Sequence, residues 1–218
     1  MGKLLIIKTG ASDQSIIKKC GDCDVRIARC AGIPYEDIKV LDVQGKINLI
    51  SLDDVSSIII TGSPSMVTSF EPWSISTSKW IKNIARKKNI PILGICYGHQ
   101  LLALTFGGAV GYHDLGEEKG EVEIQLTEAG KKDPLLSVLP DHFKAYAAHF
   151  QSVTRLPKDA IVLAKNDFEP FHAVAYGPKI WGVQFHPECN DQFLCESTCE
   201  YSYGVILIRR FLELAEQA

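Results

Sequence analysis

Pro91-Ile92-Leu93-Gly94-Ile95-Cys96-Tyr97-Gly98-His99-Gln100 decides the fold of this chain. Ile90, Ile92, Leu93 and Ile95 read as a short apolar strand that runs into a tight turn. Leu101, Leu102, Leu104 and Phe106 then mark the apolar positions of a helix. Cys96 stands at the corner. Gly94 and Gly98 flank it two residues away on either side, where a Cβ would crowd a sharp strand-to-helix turn and where glycine readily adopts a positive φ. This is the layout of a nucleophile elbow, a strained turn that presents one reactive side chain above a sheet. The first N–H groups of the helix and its dipole favour a thiolate at that corner. A buried structural cysteine at a strand end is the alternative for Cys96 taken alone.

A second stretch bears on that choice. Trp181-Gly182-Val183-Gln184-Phe185-His186-Pro187-Glu188 is another short apolar run ending in polar residues. A single cysteine with a histidine and a carboxylate far off in sequence is the pattern of a thiol hydrolase whose parts meet only in the fold. Cys96 would be the nucleophile, His186 its base and later the acid for the leaving amine, and Glu188 the group that fixes the imidazole tautomer. His186 and Glu188 are two apart, which on a strand places both on one face. Taken singly, His186 and Glu188 also read as an ordinary strand-end histidine and a solvated carboxylate.

Together, Gly-Ile-Cys96-Tyr-Gly-His-Gln100 and Gly182-Val-Gln-Phe-His186-Pro-Glu188 resemble the class I, triad-type glutamine amidotransferases, and within them the glutaminase domain of GMP synthetase and its free-standing relatives. The likeness runs from the first strand to the final helix. It implies a flavodoxin-like open sheet, glutamine as substrate, no cofactor and no metal ligands. It also implies backbone oxyanion donors at Tyr97 and at the Gly62-Ser63-Pro64 turn, where relatives usually carry Gly-Gly-Pro or Gly-Pro-Gly. Gln100 matches the position whose side chain contacts bound glutamine. His149-Phe150-Gln151-Ser152-Val153 matches a loop usually read as His-Gly-Asp-x-Val, which holds the amino-acid end of glutamine. Phe150 and Gln151 depart from that pattern, and Gln151 cannot supply the negative charge of an aspartate. His99, like His149, reads as a packing histidine rather than as a base.

Outward from Cys96, apolar runs alternate with helical stretches. Lys3–Lys8, Ile38–Val43 and Ser57–Thr61 read as strands, and Asn48–Leu52 is apolar but short. Ser15–Ala31 has helical character broken by Gly21, and a loop begins at Pro34. Trp73–Lys88 reads as an amphipathic helix with Ile75, Trp80, Ile81 and Ile84 near helical spacing. The Cys96 helix closes at Gly107-Gly108. Alternation of this kind predicts an α/β fold, a mostly parallel open sheet with helices on both faces. Ligands then sit at the carboxyl ends of strands, where Gly62, Cys96 and His186 are all expected. Beyond Ala109 the texture changes to a smaller antiparallel region. Glu121–Thr127 alternates strictly, and Ile161–Ala164, Ala173–Tyr176 and Ile180–Phe185 continue it, with a turn at Gly177-Pro178. Gln192–Ala218 reads as mostly a closing helix with Ile206, Phe211 and Leu214 toward the core and Arg209-Arg210 in solvent. Without repeats or low-complexity linkers, residues 1–218 are expected to form one domain.

The 218 residues carry a net charge of −3 and no basic run longer than Arg86-Lys87-Lys88, which argues against nucleic acid as a ligand. No apolar stretch approaches a membrane span. Met1–Lys8 is too short and too soon interrupted for a signal peptide, and Ile6 stands where a myristoylation signal needs Ser or Thr. Seven cysteines, an odd number, favour reduced thiols and a cytoplasmic location. Cys20, Cys23 and Cys30 lie in a helical stretch, and Cys189, Cys195 and Cys199 are irregular. Neither set has the paired spacing of a zinc site. Cys189 follows Glu188 and is expected near the site. No Gly-rich phosphate-cradling motif occurs, so ATP-dependent activation of an acceptor is expected to belong to a separate synthetase subunit. Three readings remain. One is a glutaminase feeding such a synthetase, another a free-standing hydrolase of γ-glutamyl peptides or conjugates. The third is a binding module that kept the fold without the chemistry.

Overall fold

Apolar runs and amphipathic helices alternate through the first half of the chain and stack as layers. The computed structural model describes residues 2–45, 51–87, 89–189 and 202–217. In chain order the elements are β1 (Lys3–Lys8), α1 (Gln14–Cys20), α2 (Cys23–Ala31), β2 (Lys39–Asp42), β3 (Val55–Ile60), α3 (Pro72–Lys87), β4 (Ile92–Ile95), α4 (Tyr97–Thr105), β5 (Ala109–Tyr112), β6 (Glu118–Leu126), β7 (His142–His149), β8 (Gln151–Arg155), β9 (Ile161–Lys165), β10 (Ala173–Gly177), β11 (Ile180–Val183) and α5 (Tyr203–Glu216). The break between α1 and α2 falls at Gly21, whose φ of 84° suits glycine, and the Asp22 carboxylate caps α2 through the Cys23 N–H.

One nine-stranded sheet runs in the order β2-β1-β3-β4-β11-β10-β9-β6-β7, and β5 pairs with β8 separately. The pairs from β2 across to β11 are parallel, and those from β11 to β7 are antiparallel. Both faces of the parallel part are covered. Leu4, Ile6, Ile59, Leu93 and Ile95 pack toward α2 and α5, whereas Leu5, Ile7, Ile58, Ile60 and Ile92 pack toward α3 and α4. That is why the parallel strands read as continuous apolar runs rather than alternations. Strand β6, by contrast, alternates between buried and exposed residues along most of its length. No helix among the described residues is long and apolar enough to cross a membrane.

Several expectations need correction. Ile75 is 41% exposed; the buried stripe of α3 is Ser74, Thr77, Ile81 and Ile84, spaced three and four apart, and Ile75 lies off it. Strands β5 and β7 were not expected, although β7 buries Phe143, Ala147 and His149 on one face. His149–Val153 is the junction of two strands rather than a loop, with Phe150 between β7 and β8. The closing helix begins at Tyr203, with Leu207, Ile208 and Phe211 fully buried. Its Arg210 is not simply solvated, because Nε donates to the Pro134 carbonyl at 3.0 Å. Residues 48–50 and 192–201, with Cys195 and Cys199, lie outside the described residues.

Candidate active site

The sheet register brings the pieces of the site together. Strands β4 and β11 are parallel neighbours with Ile95 opposite Val183, and the Cys96 N–H donates to the Val183 carbonyl at 2.8 Å. On the other side Ile60 of β3 lies opposite Gly94. Gly62, Cys96 and His186 therefore leave three adjacent strands at the same, carboxyl, edge. A Cβ built on Gly62 would lie 3.0 Å from His186 Cε1 and 3.6 Å from Cys96 Cβ, so both side chains border the same glycine.

The glycines beside Cys96 serve close approach, not positive φ. A Cβ on Gly94 would come within 2.5 Å of the Gly98 carbonyl, and one on Gly98 within 2.5 Å of the Ile60 carbonyl. Helix α4 can thus start directly on top of β3 and β4. The unusual backbone belongs to Cys96 itself, at φ 49° and ψ −101°. Such a conformation costs about 1–3 kcal/mol in a non-glycine residue and persists only where the surroundings enforce it. The thiol is mostly buried, yet it lines two cavities, and Sγ is 3.9 Å from the Ala148 carbonyl oxygen.

His186 and Glu188 lie past the end of β11, on a turn closed by the Cys189 N–H and the His186 carbonyl at 3.1 Å. Their approach therefore comes from a turn, not from strand alternation as expected. The imidazole Nδ1 is 2.8 Å from Glu188 Oε1, and Cys96 is close enough to act on the charge of the ring. Burial opposes a charged ring, but the Glu188 carboxylate and the Cys96 sulfur outweigh it and raise the His186 pKa well above its ordinary value. Burial likewise opposes the Glu188 charge, and the imidazole and Arg26 nevertheless hold its pKa below the usual range. The edge strand β7 returns over the site, where the His186 N–H donates to the Tyr146 carbonyl at 2.8 Å.

Arg26 was not singled out from the sequence. Its Nη2 lies 3.9 Å from Glu188 Oε1 and donates to Ser12 Oγ, while Nη1 donates to the Gly21 carbonyl. It projects from α2, and nothing in the helical pattern distinguishes it from a solvated arginine. A neighbouring ion cluster fixes the loop that faces Cys96. Lys8 Nζ is 2.7 Å from Asp22 Oδ2 and 3.4 Å from Asp24 Oδ1. Despite burial, the Lys8 bond and two N–H donors lower the Asp22 pKa to about 2.

The Gly62-Ser63-Pro64 turn is anchored from behind. Thr9 and Thr61 hydroxyls both donate to the Gly62 carbonyl, and Ser63 Oγ donates to the Thr9 carbonyl at 2.7 Å. The serine hydroxyl is thus a tie to β1's end, and it also accepts from the Ser65 N–H. Tyr97 points its ring away, onto Trp73, with Oη at 2.7 Å from Ser74 Oγ. Its N–H lies in the first turn of α4 and has no intrahelical partner.

Of the residues assigned to substrate, Gln100, His149, Phe150 and Gln151 line a cavity of about 280 Å³ beside Cys96. Their side chains are mostly engaged elsewhere. Gln100 Nε2 donates to the Gln151 carbonyl and to Gln184 Oε1, so this amide donor is taken up within the protein. Gln151 Nε2 donates to Thr68 Oγ1 at 2.6 Å. Phe150 is 46% exposed at the cavity rim. His149 Nε2 is 2.9 Å from Glu118 Oε2, and His172 Nε2 is 3.2 Å from the same oxygen. Burial works against the Glu118 charge, but His149, His172 and Asn166 together hold its pKa far below the usual carboxylate range. Glu118 was missed, although a signal existed. Counting back by twos from Leu126 and Ile124 reaches Glu118, a carboxylate on the core face of an alternating strand. His99 is fully buried and lowered to about 3 by burial, with the His172 and His149 charges adding to it. Its Nδ1 is 3.1 Å from Tyr176 Oη.

Among the described residues, two groups bring donor atoms within 4.8 Å of one another: His186, Glu188 and Cys189, and Asp22, Cys23 and Asp24. In the first, Arg26 already faces the carboxylate; in the second, Lys8 neutralises both aspartates. Cys20, Cys23 and Cys30 do not gather as a set. Burial, with Asp22 and other carboxylates, pushes the Cys23 thiol to about 12, and burial with Glu188 pushes Cys189 to about 11. Both thiols therefore stay protonated at neutral pH.

Comparison with known proteins adds an independent line. The family model described as glutamine amidotransferase class-I matches residues 25–192. A protein of Pyrococcus abyssi, named as one subunit of GMP synthase (glutamine-hydrolyzing), is 34% identical over 188 residues, 83% of this chain and 90% of that one. One of the same name from Methanococcus maripaludis is 31% identical, covering 80% of this chain and 85% of that one. In fold, the crystal structure of a glutamine amidotransferase from Thermotoga maritima superposes over the whole of both chains with a TM-score of 0.77 at 22% identity. The matched region takes in the Cys96 elbow and the His186–Glu188 turn, and this chain belongs to the glutamine amidotransferase class-I family.

Proposed function

We propose that the protein hydrolyses the side-chain amide of glutamine to glutamate and ammonia through a γ-glutamyl thioester on Cys96, and that the ammonia serves a separate synthetase subunit. What supports this reading is that the His186 ring, hydrogen-bonded to Glu188, and Cys96, at the corner of a strained turn, both border Gly62. The relatives' names point the same way. Each is called glutamine-hydrolyzing, which bears on the substrate, and each is one subunit of a synthase, which bears on a second chain.

Each residue then has a role. The Cys96 sulfur, its proton passed to His186, attacks the amide carbon. The resulting oxyanion meets the N–H of Tyr97 and the backbone of the Gly62-Ser63 turn. His186 returns the proton to the amide nitrogen, the C–N bond breaks, and ammonia leaves. Water then adds to the thioester, with His186 taking its proton, and glutamate departs as the thiol re-forms. Glu188 keeps the imidazole in the tautomer and orientation that this requires. The two cavities divide the substrate. His186 lines the one that also holds Ser12, Arg26 and Tyr146, so the leaving amine belongs there. The acyl half occupies the other, walled by Gln100, His149, Phe150 and Gln151.

The experiment offers purified protein glutamine and several γ-glutamyl peptides, alone and with the partner synthetase, and follows ammonia or free amine. Ammonia from glutamine, raised by the synthetase and absent with Cys96→Ala, is the expected result. Amine release from peptides in the absence of glutamine turnover would replace glutamine by γ-glutamyl conjugates as substrate. No turnover together with no labelling of Cys96 by a γ-glutamyl electrophile would leave a binding module.

A further inference from the structure

We propose that Glu117 and Lys119 form the receptor for the amino-acid end of the substrate, Glu117 taking the α-ammonium and Lys119 the α-carboxylate. This deepens the reading above and rests on Cys96 as the nucleophile. Both residues line the cavity assigned to the acyl half. Their placement follows from the strand that carries them. Glu118 turns inward to His149, so its neighbours on either side turn outward together.

The register fixes how far they stand from the chemistry. Lys119 lies directly opposite Ala148 in the β6–β7 ladder, and Ala148 is the residue whose carbonyl faces the Cys96 sulfur. Lys119 is therefore one strand away from the reacting sulfur. Glu117 lines the same cavity two residues before Lys119, immediately ahead of that strand.

The pair is also poorly satisfied by itself. Lys119 Nζ and Glu117 Oε1 are 3.9 Å apart, at the outer limit of an ion pair, with side chains 63% and 34% exposed. Such a contact contributes little stability and opens readily. A free amino acid carries its ammonium and carboxylate on one carbon, so it can meet two opposite charges two residues apart at once. Gln151 has no charge to offer the ammonium, and its amide nitrogen is bound to Thr68. The predicted substrate class is accordingly a γ-amide whose α-amino and α-carboxyl groups are both free. Glutamine inside a peptide chain is excluded.

The test measures glutamine and glutaramate, which is glutamine without its α-amino group, against wild type, Glu117→Gln and Lys119→Gln. Lys119→Gln is expected to raise the KM for glutamine about tenfold with kcat within twofold, the signature of lost ground-state binding. Glu117→Gln is expected to shrink the preference for glutamine over glutaramate by about tenfold. Both changes sit on a partly exposed strand end, and unfolding curves matching wild type exclude a general loss of structure. Calorimetric binding of glutamine to the same variants in a Cys96→Ala background separates recognition from chemistry. Binding that weakens by a similar factor supports the receptor even where turnover is absent, in which case only the hydrolytic reading fails. Unchanged or undetectable glutamine binding, or an unchanged preference over glutaramate, overturns the receptor whatever the turnover shows.

Discussion

Nδ1 of His186 sits 2.8 Å from Oε1 of Glu188, across a single proline on a tight turn. The contact helps raise the imidazole pKa, together with Cys96 nearby.

Glu188→Gln keeps the shape of this contact and removes its charge. The expected result is a fall in kcat of about 10³–10⁴-fold, because the wrong tautomer is then allowed. The alkaline limb of the pH–rate profile should also move to lower pH, since the imidazolium loses its partner. The sign for stability follows from linkage. With a raised folded pKa, the pair's contribution is complete below the ordinary value of 6.5 and is lost as pH rises through the folded value. An alkaline limb that stays in place would contradict this assignment.

Arg26 acts on the same carboxylate from the far side, as a positioning residue. In Arg26→Met the Glu188 pKa should rise, moving the acid limb to higher pH and lowering kcat by roughly threefold to tenfold. A purely structural role would lower the amount of active protein and leave the limb where it is. Titrated activity over an acid-to-neutral series distinguishes the two.

Gly98→Ala tests the close approach of α4 to β3. The added methyl has the Ile60 carbonyl oxygen within 2.5 Å and nowhere to move. A loss of about 1–3 kcal/mol or more in urea unfolding is expected. Gly177→Ala is the control, since no atom lies within 4 Å of its new Cβ, and it should unfold like wild type. Equal midpoints for the two variants would refute the crowding argument.

Glu118 gives the fold an acid-labile component. Its folded pKa is depressed from 4.5, so its contribution is present above that value and is lost progressively as pH falls toward the folded one. Glu118→Gln should cost about 1–3 kcal/mol at neutral pH. The variant's stability should also fall less steeply below pH ~4.5 than that of wild type. Parallel curves of stability against pH for the two proteins would remove Glu118 from this role.

The elbow was legible because the turn itself is local. Gly94 is needed by the backbone immediately around Cys96, although Gly98 is needed by the approach to Ile60 of β3, and the apolar runs of β1, β3 and β4 follow from burial on both faces. Helix α3 was legible as an element and wrong in detail at Ile75, since several residues near helical spacing do not by themselves say which of two neighbouring stripes meets the sheet. Strand β7 escaped because its inward positions include the small Ala145 and Ala147 and the polar His149, which do not read as an apolar face, and β5 because it is short and none of its residues is fully buried.

Sequence alone determined the residue types, their order and the strand-turn-helix corner that holds the sulfur. Only the tertiary structure decided that β11 lies beside β4, that a turn rather than a strand aims His186 and Glu188, and that Arg26, Glu117, Glu118 and Lys119 belong to the same neighbourhood. The physical reason is range. Steric and periodic signals extend over a few residues, whereas a buried charge finds its counter-charge across the sheet, where chain position carries no record of it.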